Sequence, residues 1–407
     1  MFAVAFVLRF GYILIAHTYK FKGLEDHFSF GWEMGRIGRA IATGRGFADP
    51  FGLPTGPTAW EPPLYPYLIA GVFRIAGVYT NPSALILLTI NSIFAALTCI
   101  PIFLIAKTCF SETVAVWSAW MWAVLPFVMF YSTRWVWETS LAALLLATLF
   151  WLTLYLENAE GFTPWIAFGL LWGVAALTNT SLIAFLPASG LWAWSRRAKV
   201  HKQSFAGVVL ASVFFAATIA PWLVRNYQTF GKFVFIRSNF GAELRLGNGP
   251  WADGLWMQWL HPTQDVLELR RYEQLGELEY SAARKHEAVM WIRADYPRFL
   301  WVSAKRFIYY WGGLPRPGEG PLVPFNNSLF LASSVLAFWG LGRTIRKKKH
   351  AAWLFFWLIL SYSFVYYIVF PHPRYRHPIE PVLLILIVYV ISEAESKKRP
   401  LADFELN

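Results

Sequence analysis

Apolar residues in this chain come in long runs, not in strand-like alternation, and the runs are parted by short polar or proline-marked breaks. A helix needs roughly 20 apolar residues to cross the hydrocarbon of a bilayer, and on that rule the pattern predicts about ten spans. They cover residues 2 to 18, 83 to 106, 112 to 131, 137 to 156, 163 to 178, 180 to 195, 205 to 224, 327 to 343, 351 to 370 and 378 to 393. The first run has no basic stretch ahead of it and carries Arg9 in its middle, so it reads as a transmembrane helix and not as a signal peptide. A few residues ahead of Met1 are expected to be missing.

Between the spans, residues 19 to 82 and 225 to 326 form two long hydrophilic segments. Basic clusters follow the sixth span (Arg196, Arg197, Lys199, Lys202), the eighth (Arg343, Arg346 to Lys349) and the last (Lys397 to Arg399). With ten spans all three share one side, which the positive-inside rule makes the cytoplasm, with both termini. The two long segments then lie outside. In the first, Met34, Ile37 and Ile41 recur at helical spacing from Gly31 to Ala42, predicting a short amphipathic helix lying on the membrane surface and ended by Gly44 and Gly46. Tyr65 to Ile75 is apolar but too short to span, and is expected in the interface. In the second, Asn239 to Gly249 reads as a strand or loop ending in a turn, Gln264 to Ala294 as soluble helix broken before Pro297, and Phe299 to Trp311 as an interfacial helix.

Composition agrees: 57% hydrophobic and only 15% charged residues in 407 exclude an ordinary soluble globule. The net charge of +12 does not point to nucleic acid, because the basic residues follow apolar runs instead of lining one soluble face. Cys99 and Cys109, in or beside one hydrophobic run, support neither a disulfide framework nor a thiolate metal site. The whole chain, residues 1 to 407, reads as one membrane domain with outer decorations.

Candidate chemistry gathers on the outer side. Pro371 to Pro378 places Arg374, Arg376, His372 and His377 between the last two runs. Forked, charge-assisted hydrogen bonds from the arginines suit a phosphate; the alternative is a snorkelling cluster meeting lipid headgroups, and Glu380 is also available to pair an arginine structurally. Arg225 and Arg134 are weaker phosphate candidates, with Glu138 as their counter-ion. Moving a group onto a hydroxyl or amine needs a base, and Asp26, Glu33, Asp49 and Glu61 all stand in the first outer segment. Glu33 stands out beside Trp32 and Met34, where a charge is wasteful, and Asp26 is placed just beyond the first span. Each is otherwise simply a solvated carboxylate. Glu25, Asp26 and His27 are adjacent, so their side chains diverge and chelate one ion poorly. No nucleotide-binding loop is present, and no cofactor is expected, with a bound divalent metal the alternative that these residues support poorly.

Taken together, Gly44 to Phe47, then Trp60-Glu61-Pro62-Pro63-Leu64-Tyr65-Pro66, then Arg374-Tyr375-Arg376-His377-Pro378, with Asn239 to Asn248 between, resemble the GT-C superfamily of polytopic glycosyltransferases. That superfamily includes protein O-mannosyltransferases and aminoarabinose transferases. The resemblance implies an all-α polytopic membrane protein, a GT-C-like bundle with interfacial helices and a mostly helical outer segment. It further implies a bacterial inner-membrane enzyme that moves a sugar from a polyprenyl-phosphate carrier to an acceptor on the extracytoplasmic side, with inversion. The acceptor is not specified. An acidic residue of the first outer segment serves as base. The family pattern places an aspartate where Phe30 stands here, so the role passes to Glu33 or Asp26. Phosphate contacts are implied for Arg374, Arg376, His372, Tyr375, His377 and Arg225, and further substrate contacts for Glu61, Tyr65, Glu243 and Asn248. A ligase or polymerase of lipid-linked oligosaccharide, and a lipid flippase or transporter, are the competing readings; the latter places ionisable residues near the midplane, where these spans carry only Arg9.

Overall fold

The computed structural model describes residues 1–21, 27–197, 204–315 and 322–396. Asp26, the second candidate base, lies outside the described residues, as do Lys199, Lys202 and Lys397 to Arg399. The described chain is helical throughout, and its extended pairing is confined to an isolated bridge between Ala48 and Pro57.

Every predicted apolar run forms helix, but most fall short of a full span. Asn81–Cys109, Phe205–Phe230, Val323–Arg346 and Pro373–Ala394 are long and apolar enough to cross a membrane. Glu112–Val124 and Pro126–Arg134 make a fifth crossing if the pair, bent by 48°, is one span. Phe2–Ile15, Thr139–Tyr155, Thr163–Thr178 and Ala352–Ile368 are shorter apolar helices. At 1.5 Å per residue such helices rise roughly 20–26 Å, less than the ~30 Å hydrocarbon. The run from 180 to 195 divides into a 3₁₀ turn, Thr180–Phe185, and Leu186–Arg197. By length and apolar composition alone, four of the described helices, or five with the bent pair as one span, qualify as crossings, against about ten predicted.

Arg9 explains how the bent pair is tolerated. The helix stops at Val124, ahead of Pro126, and leaves carbonyls without helical partners. The buried Arg9 guanidinium donates to the carbonyls of Trp122 at 2.9 Å and Ala123 at 2.8 Å. Close helix packing elsewhere uses glycine: a Cβ on Gly169 would sit 2.1 Å from the Ala211 carbonyl oxygen, so Thr163–Thr178 meets Ser204–Phe230 backbone to backbone.

The helix Glu33–Ala42 does not lie on the surface as expected. Its residues from Glu33 to Gly38, with Ala40 and Ile41, are buried. It packs on Leu64–Ala76, where Gly38 leaves room for Ile69, and Arg36 reaches over to donate to Thr263 Oγ1 at 3.0 Å. Asn239 to Gly249 is likewise no strand: Phe240–Gly247 is helix. The stretch ends in the expected turn at Gly249, where the Ala252 amide donates to the Gly249 carbonyl at 3.1 Å, and its helical glycines permit close contact: a Cβ on Gly241 would strike the Ser281 carbonyl and one on Gly247 the Val369 carbonyl. The soluble helix expected from Gln264 becomes Val266–Leu275 and Glu277–Ala294, parted at Gly276 in a left-handed conformation (φ +75°), and Tyr296–Gly312 follows with Pro297 in its first turn.

Buried Glu277 and half-buried Arg225 bind the outer segments together. Glu277 accepts from the Ala59 amide at 2.6 Å, Ser238 Oγ at 2.6 Å, Tyr272 at 2.8 Å and Thr58 Oγ1. Arg225 donates to the carbonyls of Thr58 at 2.6 Å and Phe47 at 2.9 Å. A buried carboxylate with this many donors fixes geometry more than it adds stability.

Candidate active site

Where the two outer segments meet the late helices they enclose a cavity of about 490 Å³. Its polar wall carries Glu33 and Glu61 from the first segment, Arg237, Glu243 and His261 from the second, Glu138 at the head of Thr139–Tyr155, and His372, Arg374 and Tyr375 from the cationic stretch. Its apolar wall includes Phe28, Trp137, Val365, Val369 and Phe370. The two residues on which the expected chemistry turns, Glu33 and Arg374, thus line one space.

Glu33 opens its helix, preceded by Trp32 in the left-handed region at φ +50°. Its Oε1 lies 3.1 Å from His261 Nε2, and both side chains are buried. Burial works to raise the Glu33 pKa, but the hydrogen bond and electrostatic attraction of His261, then the charge of Arg36, outweigh it and hold the carboxyl below its ordinary value. Glu61 goes the other way. It has Arg237 Nη2 at 3.2 Å, yet burial, with smaller pushes from Glu33, Glu138 and Glu243, raises its pKa to about 8. Glu243 shares the same arginine at 4.0 Å and accepts from Asn239 Nδ2 at 3.1 Å; burial raises its pKa too. One guanidinium thus stands between a buried carboxyl, Glu61, and a half-buried one, Glu243, and the pKa values of both are raised.

Arg374 lies over the Trp137 ring, its guanidinium carbon 3.6 Å from the centroid. Nη2 faces the Tyr375 hydroxyl at 3.4 Å, while Nε and Nη1 are buried without a hydrogen-bond partner. Unmet donors of a buried guanidinium are costly, and an anion in the cavity would satisfy them. His372 caps this turn, its Nδ1 accepting from the Arg374 amide at 3.2 Å.

Several expected site residues are directed elsewhere. Arg376, fully buried, ion-pairs with Glu380 at 2.6 Å and donates to Ser334 Oγ at 2.6 Å and Ser333 Oγ at 2.8 Å, the structural pairing open to Glu380. His377 packs between Trp122 and Tyr131. Arg225 is consumed by the first-segment carbonyls. Tyr65 donates to Asn91 Oδ1 at 2.9 Å, and Asn248 donates to the carbonyls of Leu244 at 2.8 Å and Ile368 at 3.0 Å. These five do not line the cavity: four of them satisfy neighbouring backbone or side-chain groups, and His377 is held by its aromatic neighbours. Nor is Glu138 the counter-ion of Arg134 or Arg225: it accepts from Asn179 Nδ2 at 3.1 Å, and Arg134 binds the Tyr12 hydroxyl.

Arg237, His261 and Trp137 were not identified from sequence. Arg237 and His261 are lone residues of the second outer segment, and Trp137 opens an apolar run, so none carries a pattern that marks a site. Among the described residues no three His, Cys, Asp or Glu side chains are grouped to hold a metal ion.

Residues 60–224 match the family model described as dolichyl-phosphate-mannose-protein mannosyltransferase. No curated protein matches. Among solved structures, the Archaeoglobus fulgidus oligosaccharyltransferase in complex with zinc and sulfate is 15% identical over 97% of this chain and 49% of its own, with a TM-score of 0.54. The archaeal oligosaccharyltransferase AglB from Archaeoglobus fulgidus in complex with an inhibitory peptide and a dolichol-phosphate is 14% identical over 99% of this chain and 51% of its own, with a TM-score of 0.54. The chain spans about half the length of these structures. The described chain shares its fold with these archaeal oligosaccharyltransferases, and the family-model match falls on residues 60–224.

Proposed function

We propose that this chain, a membrane protein of GT-C fold, is a glycosyltransferase that moves a sugar from a polyprenyl-phosphate carrier to an acceptor at the extracytoplasmic face of a bacterial inner membrane. The observation that carries the reading is the meeting of Glu33 and the unpartnered N–H groups of Arg374 in one cavity. Glu33 takes the proton of the acceptor hydroxyl or amine as that atom attacks the anomeric carbon. The bond from that carbon to the phosphate oxygen breaks, and the lipid phosphate leaves with its charge on Arg374. One displacement inverts the anomeric centre. Tyr375 and His372 stand beside the phosphate, Glu61 and Glu243 beside the sugar, and the apolar wall receives the start of the isoprenoid.

The test is a proteoliposome assay of polyprenyl-phosphate release from a panel of polyprenyl-phosphate hexoses. Glu33→Gln is expected to cut release by about 10²–10⁴-fold, the range of a lost general base, while lipid-phosphate binding survives. A lipid flippase would tolerate the change, and retained release would refute the assignment.

A further inference from the structure

The Glu33 carboxylate is built into more than a cavity wall. His261, 3% exposed, is caged: its ring stacks on Trp32 with centroids 4.9 Å apart and planes 10° apart, and Phe51 and Trp256 meet it edge-on at 5.8 and 6.1 Å. The Thr263 amide donates to Nδ1 at 3.2 Å. With Nδ1 engaged as an acceptor, the ring proton belongs on Nε2, which points at Glu33 Oε1 from 3.1 Å. A second tie runs beside it, from Arg36 on the Glu33 helix to Thr263 Oγ1 at 3.0 Å.

We infer that His261 is the positioning residue of the proposed base: its Nε2–H holds Oε1 of Glu33, so that Oε2 is the oxygen presented to the acceptor. This rests on Glu33 being the base. His261 makes and breaks no covalent bond. It sets the direction of the carboxylate and keeps its charged form hydrogen-bonded. The residue arrives from the second outer segment and Glu33 from the first, so the base is aimed only when the two segments are closed on each other. The other charged groups facing the pair are Arg36 on the same helix, Glu61 from the first segment, Arg237 and Glu243 from the second, and Arg374 from the late helix.

The experiment titrates Glu33 itself in the full chain in vesicles, by the infrared carboxylate band that Glu33→Gln removes. His261→Phe keeps a ring on Trp32 but loses the donor, and it is expected to raise the Glu33 midpoint by about one pH unit or more. Release of polyprenyl phosphate from the hexose donors should fall about 10–100-fold in kcat with KM unchanged. His261→Gln, which brings an amide N–H toward the Nε2 position, should recover most of both. Unchanged midpoint and kcat in His261→Phe overturn the inference and leave Glu33 as base if Glu33→Gln is inactive. Full release by Glu33→Gln overturns both. His261→Asn, whose amide stops short of Glu33, must raise the midpoint likewise, and decides the matter if the phenylalanine variant does not fold.

Discussion

Arg374 and Arg376 stand two residues apart in one cationic stretch and have opposite fates. Arg374 faces the cavity with Nε and Nη1 unmatched, stacked on Trp137. Arg376 is enclosed by Glu380, Ser333, Ser334 and the Phe330 ring. The cause is local geometry. Pro373–Arg376 is a helical turn, and side chains at i and i+2 on a helix point in divergent directions, so the pair cannot grip one ligand. One arginine is left for an anion by the fold, and its neighbour completes the fold.

That contrast is broken most severely at Arg376. Arg376→Met strands Glu380 as a buried unpaired carboxyl, and the expected loss is about 3–5 kcal/mol, read as a lowered melting temperature in detergent. Arg376→Met with Glu380→Leu removes both charges and should recover most of it. Stability of the single variant equal to wild type would mean the pair is not buried as described.

Arg374→Met is expected to do the reverse. The protein should melt as wild type does, while release of polyprenyl phosphate falls about 10²–10³-fold, the range for one lost donor to a developing anion. Arg374→Lys keeps the charge but loses the fork and the stacking, and should fall between.

The smallest effect concerns Glu61, whose folded pKa of about 8 stands above its ordinary 4.5. Below 4.5 the carboxyl is neutral in both states. Between 4.5 and 8 the unfolded chain ionises while the folded one holds its proton, so stability falls as pH rises through that window. Glu61→Gln should flatten this slope in melting curves taken across the window; an unchanged slope would place the proton elsewhere.

The same contrast marks what the sequence could disclose. Helix positions were legible because long apolar runs admit few alternatives, whereas span lengths were not, since the ends are set by caps such as Asn179 at its 3₁₀ turn. The cationic stretch was legible as composition, but the direction of each arginine depended on Ser333, Ser334 and Trp137, far off in the chain. Gly241 and Gly247 stand in a stretch that reads as strand or loop because glycine weakens a helix, and only the packing against Ser281 and Val369 gives each a reason to be there. Glu33 drew notice as a charge among apolar neighbours. His261 did not, because a lone histidine in a loop carries no pattern.

The central claim is that Arg374, and not Arg376, receives the lipid phosphate beside Glu33. It is tested most directly by phosphorus NMR of a polyprenyl monophosphate in vesicles holding the full-length protein. The phosphorus resonance should shift with wild type and with Glu33→Gln, and should stay at its protein-free position with Arg374→Met. A shift that survives Arg374→Met would contradict the account.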